Sequence, residues 1–268
     1  MAKSIAAVSI SIEGGKEPTM NLSGVPSTFN RVDSVMRDAA ASSGVRVLEL
    51  YEWKEAALSL AEAFAEDHSS MYFLETPDTT HWTEQKKWDL HLQMMEYIVY
   101  AHLLKGLVVS AGPNYDCVGL WMPPGENMDD YLTIFRSGMW RLNWQLTKEG
   151  KKRFFDEFLP LLHDTKAQVL AERDDDSWYL VYLGTRPSGR GKGYARKVVT
   201  HVTSIADAEG RACYLESSNA VNRIIYGKLG FGLKKNVYLQ RAEEHVELDI
   251  MVREPVQNKA ANGVVRVM

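Results

Sequence analysis

The chain has 268 residues, 45% hydrophobic and 25% charged, a balance that supports one sizeable buried core in a single enzyme-sized domain. A net charge of -4 argues against nucleic acid as a partner, since binding by counterion release needs a broad basic face, and no apolar run reaches the length of a membrane span. Cys117 and Cys213 show neither metal nor redox spacing, and the opening residues lack a signal or transit pattern, so the expected setting is cytoplasmic, away from membranes.

Residues 1–44 are rich in small residues and weakly periodic, which predicts a flexible N-terminal extension. Residues 45–50 alternate as a first strand, and residues 54–65 place Ala57, Leu58, Ala61, Phe64 and Ala65 on one helix face. A second helix is expected over 83–104, then a hairpin of strands 106–110 and 116–122. The following residues, about 125–176, hold seven aromatic side chains with helical periodicity over 131–146 and 151–162, and predict an inserted helical pair rather than a bare loop. That pair is either cover for the sheet or a lid on a binding site. Asp174, Asp175 and Asp176 read as a solvated loop, and His81, His91 and His102 lack ligand spacing, so no metal is expected. Residues 177–185 predict a buried strand, 195–206 an amphipathic helix stopped by Gly210, and 212–217 another strand. A helix beginning near Asn219 follows, then strands over 237–240 and 246–252, and a polar tail over 256–268.

The segment from Leu183 to Ala195 (L-G-T-R-P-S-G-R-G-K-G-Y-A) sets a basic, glycine-rich turn between strand and helix. The first N–H groups of that helix are unpaired and carry the positive end of its dipole, so the turn is a cradle for an anion. The dinucleotide fingerprint fails, because Tyr194 or Arg196 occupies the place of its last small residue, and the nucleotide-triphosphate loop fails because Arg190 and Gly191 follow Gly189. The spacing that fits is R-x-x-G-x-A, formed by Arg190, Gly193 and Ala195. Together with the segment S-N-A-V-N-R-I-I-Y-G-K-L-G-F ending at Phe231, it resembles the GNAT superfamily of acyl-CoA-dependent N-acetyltransferases. The S-W-Y-L strand and the L-E-S-S-N segment look most like the puromycin-type small-molecule branch.

The resemblance implies an α/β (α+β) fold, a mixed, mostly antiparallel sheet flanked by helices, in one domain over 45–255 with the insertion between its third and fourth strands. It implies acetyl-CoA as cosubstrate, its pyrophosphate held by Arg190, Gly191, Lys192, Gly193, Tyr194 and Ala195, and its pantetheine arm paired with Leu183, Gly184 and Thr185. Gly184 is also expected to mark a β-bulge. Tyr226 takes the place of the general acid; the other reading is a packing tyrosine beside a buried stripe of Val221, Ile224, Ile225 and Leu229. Asn219 and Asn222 are cofactor contacts or helix caps. Glu216 is the candidate base, with ordered water or a plain salt bridge as alternatives. Trp121, Trp140 and Trp144 are expected to wall an acceptor site for a primary amine with an apolar or aromatic body. A protein or peptide N-acetyltransferase and a non-catalytic acyl-CoA-binding module remain open, as does the choice between monomer and homodimer.

Overall fold

The computed structural model describes residues 44–256; the expected extension up to residue 43 and the tail from residue 257 lie outside the described residues. One seven-stranded sheet runs in the order β1 (Val45–Val47), β2 (Leu107–Ala111), β3 (Cys117–Met122), β4 (Trp178–Thr185), β5 (Cys213–Ser217), β7 (Val246–Arg253), β6 (Gly232–Leu239). Only β4 and β5 pair in parallel; every other neighbour is antiparallel. The α/β class and the mixed sheet therefore agree with the sequence.

Helices cover both faces. On one, α8 (Tyr194–Glu209) buries Val198, Val199, Val202 and Ala206 against Trp121, Trp178, Leu180 and Leu215, each of the three valines contributing about 2 kcal/mol by removal from water. On the other, α1 (Trp53–Ala63) and α3 (Glu84–Lys105) lay Leu60, Ala61 and Val99 on Val118 and Leu120. Thr83 caps α3 by accepting from Lys86 N at 3.2 Å, where the sequence places its start. A short helix, α2 (His68–Met71), capped by Asp67, was not foreseen. Strand β1 ends early because Glu52 accepts the Glu49 N–H at 2.8 Å and closes a tight turn over Leu50–Glu52.

The insertion lies between β3 and β4 as expected, but in more pieces. Gly138, at φ 85°, breaks its first half into α4 (Tyr131–Ser137) and α5 (Leu142–Gln145). Its second half runs through α6 (Lys148–Lys151), a π-helical stretch (Lys152–Phe158) and α7 (Leu159–Leu170). Pro160 has no N–H to offer the Asp156 carbonyl, and the turns before it widen. Phe154 and Leu170 from this half cover Tyr214, Leu239 and Ile250 of the sheet, so it serves as cover.

Two expectations are corrected. The helix α9 (Ala220–Gly227) does not bury its apolar stripe: Val221, Ile224 and Ile225 are exposed, while Tyr226 is the buried residue and Leu229 is half-buried against the core. The bulge in β4 lies at Val181, where the register with β3 steps from Leu120↔Tyr182 to Trp121↔Leu180; Gly184 pairs regularly with Val118. Gly184 answers a different need, since a Cβ there would stand 2.8 Å from both Ala63 and Leu60 of α1.

Candidate active site

The glycine-rich turn delivers an open helix end. Gly193 takes φ 76° as the residue preceding α8 and offers no side-chain cap, and a Cβ on either Gly191 or Gly193 would meet nothing within 4 Å. The N–H groups of Gly191, Lys192 and Gly193 make no hydrogen bond among the described residues, and those of Tyr194, Ala195 and Arg196 lie in the first helical turn without intrahelical partners. Arg190, Lys192 and Arg196 are exposed around them. A helix end left open in this way has the chemistry to take an anion on its backbone.

The tip of the β2–β3 hairpin holds the turn in place. Asp116 O accepts the Arg186 N–H at 2.9 Å, and Gly189 packs so close to Asp116 that a Cβ would stand 2.8 Å from its side chain. The Arg186 guanidinium reaches Glu62 of α1 at 2.6 Å and the Asn114 carbonyl at 2.9 Å. The Tyr194 ring rests on Gly112. The tip is itself strained, with Asn114 at φ 54° and Tyr115 at φ 58°, and it is held by Ser59, which donates to the Tyr115 carbonyl, and by the Tyr115 hydroxyl, which donates to Glu52 at 2.9 Å.

Beside the turn the sheet splits. Strands β4 and β5 pair only from Trp178↔Cys213 to Leu180↔Leu215, so residues 181–185 present a backbone edge with no partner strand. Leu183, Gly184 and Thr185 lie on that free edge, and Arg190 donates to the Thr185 carbonyl at 3.4 Å. An extended amide chain has unpaired N–H and C=O groups to meet there.

Glu216 stands at the split. It is half-buried as a residue, but its Oε1 is closed to solvent and, like the nearby Tyr214 hydroxyl, has no hydrogen-bond partner among the described residues. Burial pushes its carboxyl up to about 7, against the opposing pull of the Tyr179 and Tyr214 phenols. A carboxyl so placed can take and release a proton near neutrality. Tyr226 is 7% exposed, packed edge-on against Phe231 at 5.8 Å, and its hydroxyl makes no hydrogen bond among the described residues. Burial, with the Cys117 thiol nearby, holds the phenol well above its ordinary range, so it stays protonated and able to donate.

Of the remaining sequence candidates, Asn219 caps α9 by accepting from Val221 N at 2.9 Å, while the half-buried Asn222 makes no side-chain bond among the described residues. Trp121 is fully buried between the sheet and α8 and has no surface to give a substrate. Trp140 and Trp144 meet edge to face at 5.5 Å, with Phe135 stacked on Trp140, in a cluster on the insertion's outer side. A cavity of about 500 Å³ opens at the end of β5, lined by Ser217 and Ser218, by Tyr72 and Arg153 and by the β6–β7 connection; neither tryptophan lines it. Sequence reasoning missed this cavity, because its walls come from four distant segments. No helix among the described residues is long and apolar enough to cross a membrane, and none of their His, Cys, Asp or Glu side chains group as a metal site.

Comparison with known proteins places this arrangement. Residues 156–231 match the sequence model of the Acetyltransferase (GNAT) family. A Schizosaccharomyces pombe protein named an uncharacterized N-acetyltransferase is 49% identical over 208 residues, covering 78% of this chain and 82% of its own. Among solved structures, arylalkylamine N-acetyltransferase 2 of Aedes aegypti superposes with a TM-score of 0.53 at 17% identity, covering 78% of this chain and 97% of that one. A mosquito arylalkylamine N-acetyltransferase like 5b gives 0.50 at 14% identity, with 78% and 98% covered. At those identities the two structures speak for the fold alone.

Proposed function

The chain belongs to the GNAT superfamily of acetyltransferases, and on that ground we propose that it moves an acetyl group from acetyl-CoA to the primary amine of a small molecule, by direct attack in a ternary complex. The observation that carries this reading is the parting of β4 and β5 between two groups the reaction needs: the Glu216 carboxyl, one oxygen closed to solvent and raised to about 7, at the split, and the uncapped end of α8 at the far end of the free edge of β4.

The residues fit acetyl-CoA. The open N–H groups of Gly191 to Ala195 suit its pyrophosphate, with Arg190 and Lys192 adding charge, and the free edge of residues 181–185 suits its amide arm. When bound, the thioester supplies an activated acetyl group. Glu216 accepts the proton an amine must lose as it attacks, and Tyr226 donates one to the departing thiolate. The net proton count of the protein is unchanged, and Glu216 releases its proton to solvent while Tyr226 regains one from it before the next turnover.

The acceptor is assigned to the cavity at the end of β5. A cleft of about 500 Å³ is of the size that a small molecule fills. Its apolar body would lie on Met71, Tyr72, Ala242 and Val246 rather than on the tryptophans. Cys117 and Cys213 are free, buried thiols, which supports a reducing, cytoplasmic setting.

Release of free CoA thiol from acetyl-CoA across a panel of primary amines, with the acetylated product identified by mass, tests the proposal. Tight acetyl-CoA binding without turnover on any amine would favour a binding module instead.

A further inference from the structure

Arg153 is an unusual wall for a cavity. It is 4% exposed and sits in the π-helical stretch of the insertion, yet its guanidinium is not fully used. Nη1 donates to the Tyr72 carbonyl at 2.9 Å and the Glu75 carbonyl at 3.1 Å, and Nε approaches Glu149 at 3.5 Å. The Tyr72 ring lies 4.8 Å beneath the plane. These contacts fix the group in one orientation and leave both N–H donors of Nη2 without a partner among the described residues. With the other donors turned to protein, Nη2 is the edge left to face the cavity.

A buried guanidinium edge, already desolvated and oriented, is a site for a carboxylate. Four of the acids around it are engaged elsewhere, and Glu244 of the β6–β7 connection is exposed at the rim. Glu149 is shared with Arg241, Glu75 turns to Lys87, and Asp249 and Glu247 are taken by Arg223. The cavity also offers Met71, Ala242 and Val246 as apolar contact, and it opens beside Ser217, next in sequence to Glu216. One molecule would then meet a cation for its carboxylate, apolar wall for its side chain, and a base for its ammonium.

We propose that the cavity selects an acceptor bearing a carboxylate beside its amine, an α-amino acid with an apolar side chain, whose carboxylate is taken by Arg153 Nη2. The proposal rests on the acetyl-transfer reading above, and it names the substrate class of that same site. The step is acetylation of the amino group: the new N–C bond forms as the C–S bond breaks, the amine proton goes to Glu216, and the thiolate leaves with a proton from Tyr226.

The experiment compares L- and D-phenylalanine and leucine with their carboxamides and with 2-phenylethylamine and 3-methylbutylamine, which lack the carboxylate. Turnover is read by CoA thiol release, and binding by calorimetry in the presence of CoA. The expected result is a kcat/KM about thirtyfold higher for an amino acid than for its amide and its amine, the scale of one charge-assisted hydrogen-bond pair. In Arg153→Gln that ratio should fall toward unity. Should Arg153→Gln fail to fold, Arg153→Lys and the ligand series on the unaltered protein decide the matter. Amines acetylated as well as amino acids would overturn the carboxylate site and leave acetyl transfer standing. Amino acids that bind beside CoA in an Arg153-dependent way, but are not acetylated, would uphold the carboxylate site and overturn the transfer. Equal binding of acid, amide and amine in the absence of turnover would overturn both.

Discussion

Glu216 and Tyr226 stand on opposite faces of the sheet. Glu216 keeps company with Tyr179 and Tyr214, whereas Tyr226 packs with Phe231, Leu215 and the core beneath α8. The neighbouring residue Leu215 points to the Tyr226 side, as strand alternation requires. A group threaded through the split between β4 and β5 therefore has an acceptor of protons on one side and a donor on the other, and the two cannot neutralise each other directly.

Tyr226→Phe removes a hydroxyl that makes no hydrogen bond among the described residues, so the melting temperature and acetyl-CoA affinity should hardly move. If the phenol protonates the thiolate, kcat falls by about a hundredfold. Steady-state kinetics on an accepted amine, beside calorimetry with acetyl-CoA, separates this from a packing role, for which kcat would stay at the wild-type value.

The Glu216 carboxyl must be ionised to act, so kcat/KM should rise with pH through about 7, and Glu216→Gln should remove that limb. Stability runs the other way. The folded state holds the Glu216 proton up to about 7, against an ordinary value of 4.5, so the folded form binds it more tightly than the unfolded chain. Its contribution is therefore most favourable at low pH and is lost as pH rises from about 4.5 through about 7. Glu216→Gln should melt higher than wild type at pH 8, and the two should converge near pH 4. A variant less stable at pH 8 would show that the carboxylate is well solvated or paired.

Gly193→Glu places a bulky anion at a residue held at φ 76°, directly in the cradle, and should abolish acetyl-CoA binding. Gly189→Ala is subtler. Its Cβ would meet Asp116 at 2.8 Å and displace the turn from the hairpin tip, weakening acetyl-CoA affinity roughly tenfold to a hundredfold, the range of about 1–3 kcal/mol that overpacking costs. Calorimetry reads both, and unchanged affinity in Gly193→Glu would remove the turn from the site.

Trp140 and Trp144 lie outside the lining of the cavity, so Trp140→Ala and Trp144→Ala should leave the acceptor KM within about twofold. A KM raised tenfold or more for apolar amines alone would restore the lid that the sequence suggested.

The open turn before α8 was legible because one continuous run of residues makes it, and its geometry depends on where side chains are missing, which a sequence states outright. Thr83 and Gly210 likewise mark helix ends through local bonds. The α9 stripe misled for a physical reason. An eight-residue amphipathic helix reveals that it has an apolar face, not which neighbour covers it, and Val221, Ile224 and Ile225 are exposed while Tyr226 turns inward. Trp121 was placed by its company with the insertion, yet strand alternation sends it to the core under α8. The cavity had no local signature at all, since residues near 72, 153, 218 and 246 meet only after the sheet and insertion have formed.

The extra residue Val181 has a bearing on how this protein could change over time. It shifts the phase of β4, so that Tyr179 and Tyr182, three apart, both keep off the α8 side, while Leu180 and Leu183 both face it. Loss of that single residue would leave Tyr182, Leu183 and Gly184 on the sides they now take, because their partners Leu120 and Trp121 already follow one another on β3 without a gap. The strand thus carries one residue of slack in its length, and it carries it at Val181. Among descendants of this chain, a gap within residues 178–185 should fall at Val181 before any other position.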